Sequence, residues 1–217
     1  MIEPNGSSPM VTVSGEAQLE GPPDLATLSL TLHASGDSAE RTRSQLAVGS
    51  TAVTQLLHQF EAALERSSTS GLHVSPVFNR RSPTKITGYQ GTFTTQIVVA
   101  DFESLSPLVI ALSALPNSQI DGPWWSLRPD NQMFRKSRLA AITDARRRAD
   151  DYAAAFDTTV ADLVEVSDLN VGFHGVREMR AFAMAKGADD TPFEFEPATQ
   201  TVSGQVTVRF RLKTVSL

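Results

Sequence analysis

A chain of 217 residues is long enough to form one large domain or two small ones, and either can bury a hydrophobic core. Its 41% hydrophobic and 20% charged residues are typical of a soluble globular protein, and its net charge of −5 disfavours nucleic-acid binding through the overall field. The absence of cysteine excludes disulfides, thiolate metal sites and cysteine nucleophiles.

The N-terminal residues and the longest apolar runs bear on where the protein resides. Residues 1–9 are rich in Asn, Gly, Ser and Pro, which predicts a disordered tail. They contain neither the basic region nor the apolar region of a secretory signal. No stretch approaches the roughly 18 to 20 apolar residues that span a bilayer. If Met1 is the native start, we expect a cytoplasmic protein without a transmembrane segment.

Two half-buried strands open the folded part of the chain. Apolar or small residues alternate with polar ones over 11–17, and leucines alternate with threonine and serine over 25–32. A period of two is typical of a strand with one buried face. Because the two strands are close in sequence and are joined through Gly-Pro-Pro-Asp at 21–24, we predict that they form an antiparallel pair, which needs a cover on one face.

A long helix is predicted to provide that cover. Asp37 followed by Glu40 resembles a capping box. Apolar and small residues then recur at steps of three and four and form one stripe: Ala39, Thr42, Leu46, Gly49, Val53, Leu56, Phe60 and Leu64. The stripe predicts a helix from Ala39 to Leu64, within about 38–65. Glycine at position 49 of this stripe suggests a close approach of helix and sheet.

The middle of the chain returns to strands. We interpret Ser67 to Gly71 as a loop, followed by strands at 73–80 and 86–100 with a turn between them. Pro107 suits the first turn of a short helix that ends near Ala114, with Ser104 or Ser106 as its cap.

Further elements follow in the second half of the chain. A strand is predicted at 120–127 and a second long helix at about 132–156. The apolar face predicted for this helix consists of Leu139, Ile142, Ala145, Ala149, Tyr152, Ala153 and Phe156. A short strand at 163–169, a mobile loop at about 170–192 and a long strand at 202–212 complete the chain.

These elements together predict an α+β fold with a mainly antiparallel sheet. The order is β-β-α-β-β-α-β-α-β-β, with β-β-α units at 11–64 and 73–114. The two long helices, at about 38–65 and 132–156, are expected to pack on the sheet. Residues 10–217 would form one domain, which could contain two β-β-α subdomains.

The sequence does not show a residue pattern typical of a catalytic or metal site. His33, His58, His73 and His174 lack the spacing of metal ligands, and we interpret them as scattered surface or edge residues. Glu194 and Glu196 would lie on the solvated face of a strand. Activated-serine and phosphate-binding motifs do not occur. We therefore assign no catalytic, cofactor-binding or metal-binding residue and expect no cofactor.

Charge and exposed apolar side chains offer other ways to bind partners. The basic run 146–148 alternates with Asp144, Asp150 and Asp151, which favours ion pairs on a solvated helix face over nucleic-acid or membrane binding. Trp124 and Trp125 would point to opposite faces of their strand, so only one can enter the core. Met179, Phe182 and Met184 lie among basic residues, a composition common at interfaces.

Several segments together resemble the SIMPL-domain family, a conserved domain of unknown function. They are Val11–Ala17, Pro23–Leu28, Tyr89–Phe93 with the strand that ends at Asp101, the alanine-rich helix around Ala140–Ala153, and Val202–Phe210. The resemblance covers about residues 10–213. One departure is Phe156-Asp157-Thr158, which stands where such helices usually end in Leu-Gly.

The resemblance implies an α+β fold, frequent self-association and no established enzymatic activity. Many bacterial members are exported as antigens, and a mammalian relative is an intracellular adaptor that binds a kinase. If the resemblance is correct, residues 11–32 should form a pair of strands covered by the helix 39–64.

Two functional hypotheses follow. The first is a non-enzymatic module that self-associates, most simply as a homo-oligomer, and binds a protein partner or acts as a scaffold. The alternative is a small-ligand-binding protein or an enzyme with a pocket near the loop 170–192. A structure without a pocket of about 300 Å³ or more would argue against this alternative.

Overall fold

The computed structural model describes residues 8–168 and 193–214, and it divides into two compact units. What we call the terminal unit consists of the described residues 8–22, 129–168 and 199–214. What we call the central unit consists of residues 23–128 and 193–198. Two predicted features lie mainly outside the described residues: the tail 1–9, of which residues 8 and 9 are described, and the loop 170–192.

The predicted order of elements is confirmed, and every strand pairing is antiparallel, so the α+β class is confirmed as well. The elements are β1 (Met10–Gly21), β2 (Leu25–Gly36), α1 (Ala39–Gln59), β3 (Leu64–Asn79), β4 (Ser82–Val99), α2 (Leu105–Ser113), β5 (Ser118–Ser126), α3 (Gln132–Ala155), β6 (Val160–Ser167) and β7 (Gln200–Leu212).

The central unit is a four-stranded sheet with its two helices packed into one core. The strand order is β3-β4-β2-β5. The leucines of β2 that were predicted to share a buried face do so, and they pack with apolar residues of α1, β4 and α2. The fully enclosed members of this core include Leu28, Leu30, Ile97, Leu105, Leu108 and Leu112. No helix in the described part of the chain is long and apolar enough to cross a membrane.

Helix α1 begins at Ala39, as predicted, but its cap residue and its C-terminal end differ from the prediction. Its cap is Ser38, whose hydroxyl accepts a hydrogen bond from the Arg41 amide at 3.2 Å, whereas Asp37 forms an ion pair with the Arg41 guanidinium. The helix ends at Gln59, and the apolar spacing continues beyond it because Leu64 starts β3 and packs on the same core. Within the helix, a side chain at Gly49 would come within 2.8 Å of Leu32, as expected from a close approach to the sheet.

The loop predicted at Ser67 to Gly71 is wrong, because these residues lie inside β3. Strand β3 forms the edge of its sheet, and residues 65–73 are exposed. An edge strand with solvent on both faces does not need alternating apolar residues, so its sequence resembles that of a loop. Register shifts at 64–66 and 69–71 weaken the alternation further.

The terminal unit is a three-stranded sheet with the order β1-β7-β6, packed against α3. The predicted pairing of residues 11–17 with 25–32 is therefore wrong. Strand β1 pairs with β7 from Met10 opposite Arg211 to Gly21 opposite Gln200, whereas β2 belongs to the other sheet. The alternation of β1 is the same whichever strand lies beside it, so the pattern revealed the buried face but not the partner.

The predicted apolar face of α3 is only partly correct. The alanines at 145, 149 and 153 are buried, together with Ser137 and Ala141. The large residues of the predicted face are exposed: Leu139, Ile142, Tyr152 and Phe156. The cause is the short distance between helix and sheet, because a Cβ added to Gly15 would overlap the carbonyl oxygen of Ala141 and lie 2.7 Å from the Ala145 Cβ. Only alanine and serine fit between these backbones.

Most remaining predictions need only shifts of a few residues. Pro107 is the third residue of α2 and therefore lies in its first turn, as predicted, and Ser104 is the cap. Strand β6 starts three residues earlier than predicted and β7 two residues earlier. The inner face of β7 contains Val202, Val206, Val208 and Leu212, which are buried. Pro9, predicted to lie in the tail, accepts a hydrogen bond from the Leu212 amide at 2.8 Å.

Candidate interaction surfaces

The histidines that can be placed are all exposed. His33 and His73 occupy one row of the central sheet on either side of Thr92 and line an open groove of about 490 Å³. The Nε2 atom of His33 lies 3.3 Å from the Gln119 side-chain oxygen, and His58 Nδ1 lies 3.8 Å from a Glu61 carboxylate oxygen. Across residues 8–168 and 193–214, no three His, Asp or Glu side chains are grouped closely enough to hold a metal ion. His174 lies outside the described residues.

Glu194 and Glu196 do not lie on a strand, which corrects the prediction. Residues 193–199 are neither helix nor strand. Phe195 packs against the core of the central unit, and its ring lies 6.2 Å from that of Phe193. Phe195 therefore anchors the segment on this core, and both carboxylates are exposed, as expected.

Arg147 and Arg148 of the basic run on α3 are held in ion pairs, as predicted. Asp144 lies 2.7 Å from the Arg147 guanidinium and 2.8 Å from that of Arg148. The same carboxylate accepts a hydrogen bond from the Glu16 amide of β1 at 3.2 Å. The hydrogen bond from Arg147, supported by the Glu16 amide, holds the pKa of Asp144 below its usual value, and Asp144 in turn raises the pKa of Arg147.

A second polar cluster, which the sequence did not reveal, links three strand ends of the central unit. The Arg128 guanidinium lies 2.7 Å from one Glu65 carboxylate oxygen and 3.4 Å from the other, and the Arg128 amide donates to the Asp24 carboxylate at 2.8 Å. The hydrogen bond from Arg128 lowers the pKa of Glu65. Because Glu65 and Arg128 are 63 residues apart, no spacing in the sequence could have identified this pair.

The two tryptophans lie on opposite faces of β5, as predicted. Trp125 packs edge-to-face on Phe102, with ring centroids 5.0 Å apart, and contributes to the core of the central unit. Trp124 is 42% exposed and lies opposite Thr27 of β2. One indole therefore belongs to the core, and the other contributes apolar surface. The second predicted partner surface, Met179, Phe182 and Met184, lies outside the described residues.

Open grooves of ligand-binding size occur in both units. In the terminal unit, a groove of about 360 Å³ is lined by the start of β1, by Arg148 and by the exposed rings of Tyr152 and Phe156. In the central unit, a groove of about 520 Å³ lies between α1 and the first part of β3. Both groove volumes exceed 300 Å³, the size below which a ligand-binding function would be disfavoured.

Strands β3 and β4 extend beyond the rest of their sheet. Pairing between β2 and β4 ends at Gly36 and Tyr89, but β3 and β4 remain paired to Asn79 and Ser82. We call residues 76–88 the arm. Phe78 and Ile86 are paired across it and are 49% and 46% exposed. The arm is therefore a two-stranded ribbon with apolar side chains in solvent, a structure of marginal stability by itself.

Strand β6 is also an edge strand with exposed apolar side chains. It lies at one end of the order β1-β7-β6, and its partner is β7. Leu163 is 60% exposed, and Val164 and Val166 are exposed as well. We call residues 160–168 the β6 edge. Natural edge strands usually carry lysine or proline where they must not pair with another chain, and the β6 edge has neither.

Sequence comparisons give this chain relatives along nearly its whole length. It is 27% identical to the uncharacterized protein YggE of Edwardsiella ictaluri, over 94% of this chain and 87% of that protein. It is 23% identical to the uncharacterized protein YggE of Escherichia coli K12, over 95% of this chain and 85% of that protein. The profile of SIMPL, described as a protein of unknown function (DUF541), matches residues 11–210. With this match and the α+β fold described above, the chain belongs to the SIMPL family.

Proposed function

We propose that this protein is a non-enzymatic module that self-associates and binds protein surfaces. The observation that carries the proposal is the exposure of apolar side chains on the structured edges of both sheets. Phe78 and Ile86 on the arm, and Leu163 and Val166 on the β6 edge, lie in solvent on paired strands. Apolar groups concentrated on a strand edge are typical of a surface that another protein covers.

The titratable groups of the described residues support assembly over catalysis. The pKa values that clearly shift belong to Glu65, Asp144 and Arg147, and each shift is caused first by a hydrogen bond within an ion pair. Catalytic acids and bases are more often tuned by burial or by like charges in a cleft. Of the ion pairs found here, those of Asp144 with Arg147 and Arg148 lie within α3, and that of Glu65 with Arg128 connects β3 to the residue segment after β5.

Binding of a small ligand is the second candidate function. The groove beside Arg148, Tyr152 and Phe156 supports it, because a guanidinium group and two aromatic rings offer contacts to a flat or anionic molecule. The pocket expected near the loop 170–192 lies outside the described residues. A screen for ligands that raise the midpoint of thermal unfolding, repeated with Arg148→Ala, tests this candidate.

The mass of the protein in solution, measured by light scattering on a sizing column, tests self-association. We expect a multiple of the 23.4 kDa chain mass that persists across a dilution series. A mass of 23.4 kDa at every concentration would contradict self-association. A concentration-dependent mass would indicate a weak contact, and its dissociation constant would follow from the same series.

A further inference from the structure

The arm carries positive charge only. Residues 66–100 contain four Lys or Arg and no Asp or Glu, in a chain with a net charge of −5. Three of the four, Arg80, Arg81 and Lys85, are exposed around the end of the arm. They lie between Phe78 and Ile86 in the sequence, and so beside this exposed pair at the end of the arm. The arm therefore presents apolar side chains next to positive charges.

The β6 edge has the opposite charge and a similar apolar centre. Residues 149–168 contain six Asp or Glu and no Lys or Arg. Asp162, Glu165 and Asp168 are exposed along or just after β6. Beside them are the exposed side chains of Leu163, Val164 and Val166. Glu165 also forms an ion pair with Arg209 at 3.3 Å, which leaves Asp162 and Asp168 as the charges best placed to meet a partner.

We propose that the arm of one copy of this chain docks on the β6 edge of a second copy. Apolar side chains would meet at the centre of the contact, and opposite charges would face each other around it, which is the usual arrangement of a specific interface. The occupant we infer is a second copy because the same chain carries both complementary surfaces. The inference rests on the proposed self-association and identifies the surfaces responsible for it.

A contact between two different surfaces constrains the assembly. Each copy offers one arm and one β6 edge, so the contact is heterologous. An assembly built from such contacts is closed when two copies exchange arms or when several copies form a ring. Otherwise it grows into a filament. A mass that reaches a plateau in the dilution series thus indicates closure, and a mass that keeps growing with concentration without a plateau indicates an open chain of copies.

Charge reversal tests the contact in the full-length protein. The arm variant is Arg80→Glu with Arg81→Glu, and the edge variant is Asp162→Lys with Asp168→Lys. We expect each variant to need a protein concentration roughly ten-fold higher or more for half-association, because attraction around the contact becomes repulsion. Arg135→Glu with Lys136→Glu, on the exposed face of α3, makes the same change in charge as the arm variant and should associate like the wild type.

Mixing the two variants provides the decisive measurement. The reversed arm of one variant complements the reversed edge of the other, and the unchanged surfaces complement each other too. An equimolar mixture should therefore regain the mass of the wild type. Circular dichroism and thermal unfolding of each variant beforehand separate loss of association from loss of folding, and restoration by mixing cannot come from unfolded chains.

Other results would overturn the inference in distinguishable ways. If both variants associate like the wild type, self-association stands and this contact is wrong. If the arm variant dissociates and mixing does not restore association, the arm binds somewhere other than the β6 edge. If the wild type is monomeric, the proposed self-association and this contact both fail. Cosedimentation of that monomer with phosphatidylserine-containing vesicles, lost in the arm variant, would then assign the arm to a membrane surface.

Discussion

Gly15 and Gly204 determine how closely α3 lies on the sheet of the terminal unit. A Cβ added to Gly204 would overlap the carbonyl oxygen of Ser137, and one added to Gly15 would overlap that of Ala141. In both cases the obstacle is helix backbone, which cannot rotate away as a flexible side chain could. The two glycines and the small residues facing them therefore act as one packing unit.

We predict that Gly15→Ala lowers the free energy of unfolding by about 3 kcal/mol, because the added methyl group pushes α3 away from β1 and β7. The measurement is urea unfolding followed by circular dichroism. Gly71→Ala is the matched control, since a Cβ at this position on β3 would have no neighbour within 4 Å. Equal effects of the two substitutions would contradict the close packing of α3.

At the scale of elements, β1 is an edge strand that its own unit protects. The Asp144 carboxylate of α3 accepts a hydrogen bond from the Glu16 amide, so this edge donor is satisfied within the chain. Arg147 and Arg148 hold the carboxylate in place. An edge whose amides are occupied is less available to another strand. This protection distinguishes β1 from the β6 edge, where apolar side chains are exposed.

We predict that Asp144→Ala speeds hydrogen exchange of the Glu16 amide on the order of ten-fold, because the amide loses its acceptor. In the Asp144→Asn variant, the Glu16 amide should exchange at a rate closer to that of the wild type, since the side-chain oxygen of asparagine can still accept its hydrogen bond. The exposed Asp151→Ala on the same helix controls for the loss of one charge. Exchange of Glu16 that is equal in all four proteins, measured by NMR, would refute this role of Asp144.

How much of the structure the sequence could predict differs from one element to another. Alternation and helical spacing predicted the type and order of the elements because they record which face is buried. They did not predict that β1 pairs with β7, since each pair of facing residues is 179 or more positions apart in the sequence and no local signal spans that distance. The expectation that the SIMPL resemblance requires a paired segment 11–32 was wrong for the same reason, and the family match holds without it.

Side-chain size misled the prediction for α3. Large apolar residues were expected inside, but the distance between α3 and the sheet is set by glycine and admits only small residues. Of the predicted surfaces, Trp124 could be identified because the two tryptophans are adjacent on a strand. The arm and the β6 edge could not, because their exposure depends on which neighbouring strands are present.

At the scale of the molecule, the two units are formed from differently arranged segments of the chain. The main buried cluster of the central unit comes from residues 26–112, and two further buried residues, Leu25 and Leu127, lie just outside that range. The buried core of the terminal unit combines Val13 of β1 with residues of α3 and β7, so it needs both ends of the chain. The central unit is therefore formed almost entirely by one continuous segment of the chain. The terminal unit is formed by segments on both sides of it, so no single continuous segment contains the terminal unit alone.

We predict that the fragment 23–128 folds by itself, because it retains all four strands and both helices of the central unit. It loses the packing of Phe195 and should unfold cooperatively at a lower urea concentration than the intact protein. Leu108→Ala should destabilise the fragment by about 2–5 kcal/mol, because this side chain is fully enclosed. A gradual transition that Leu108→Ala does not shift would mean that the central unit depends on the rest of the chain to fold.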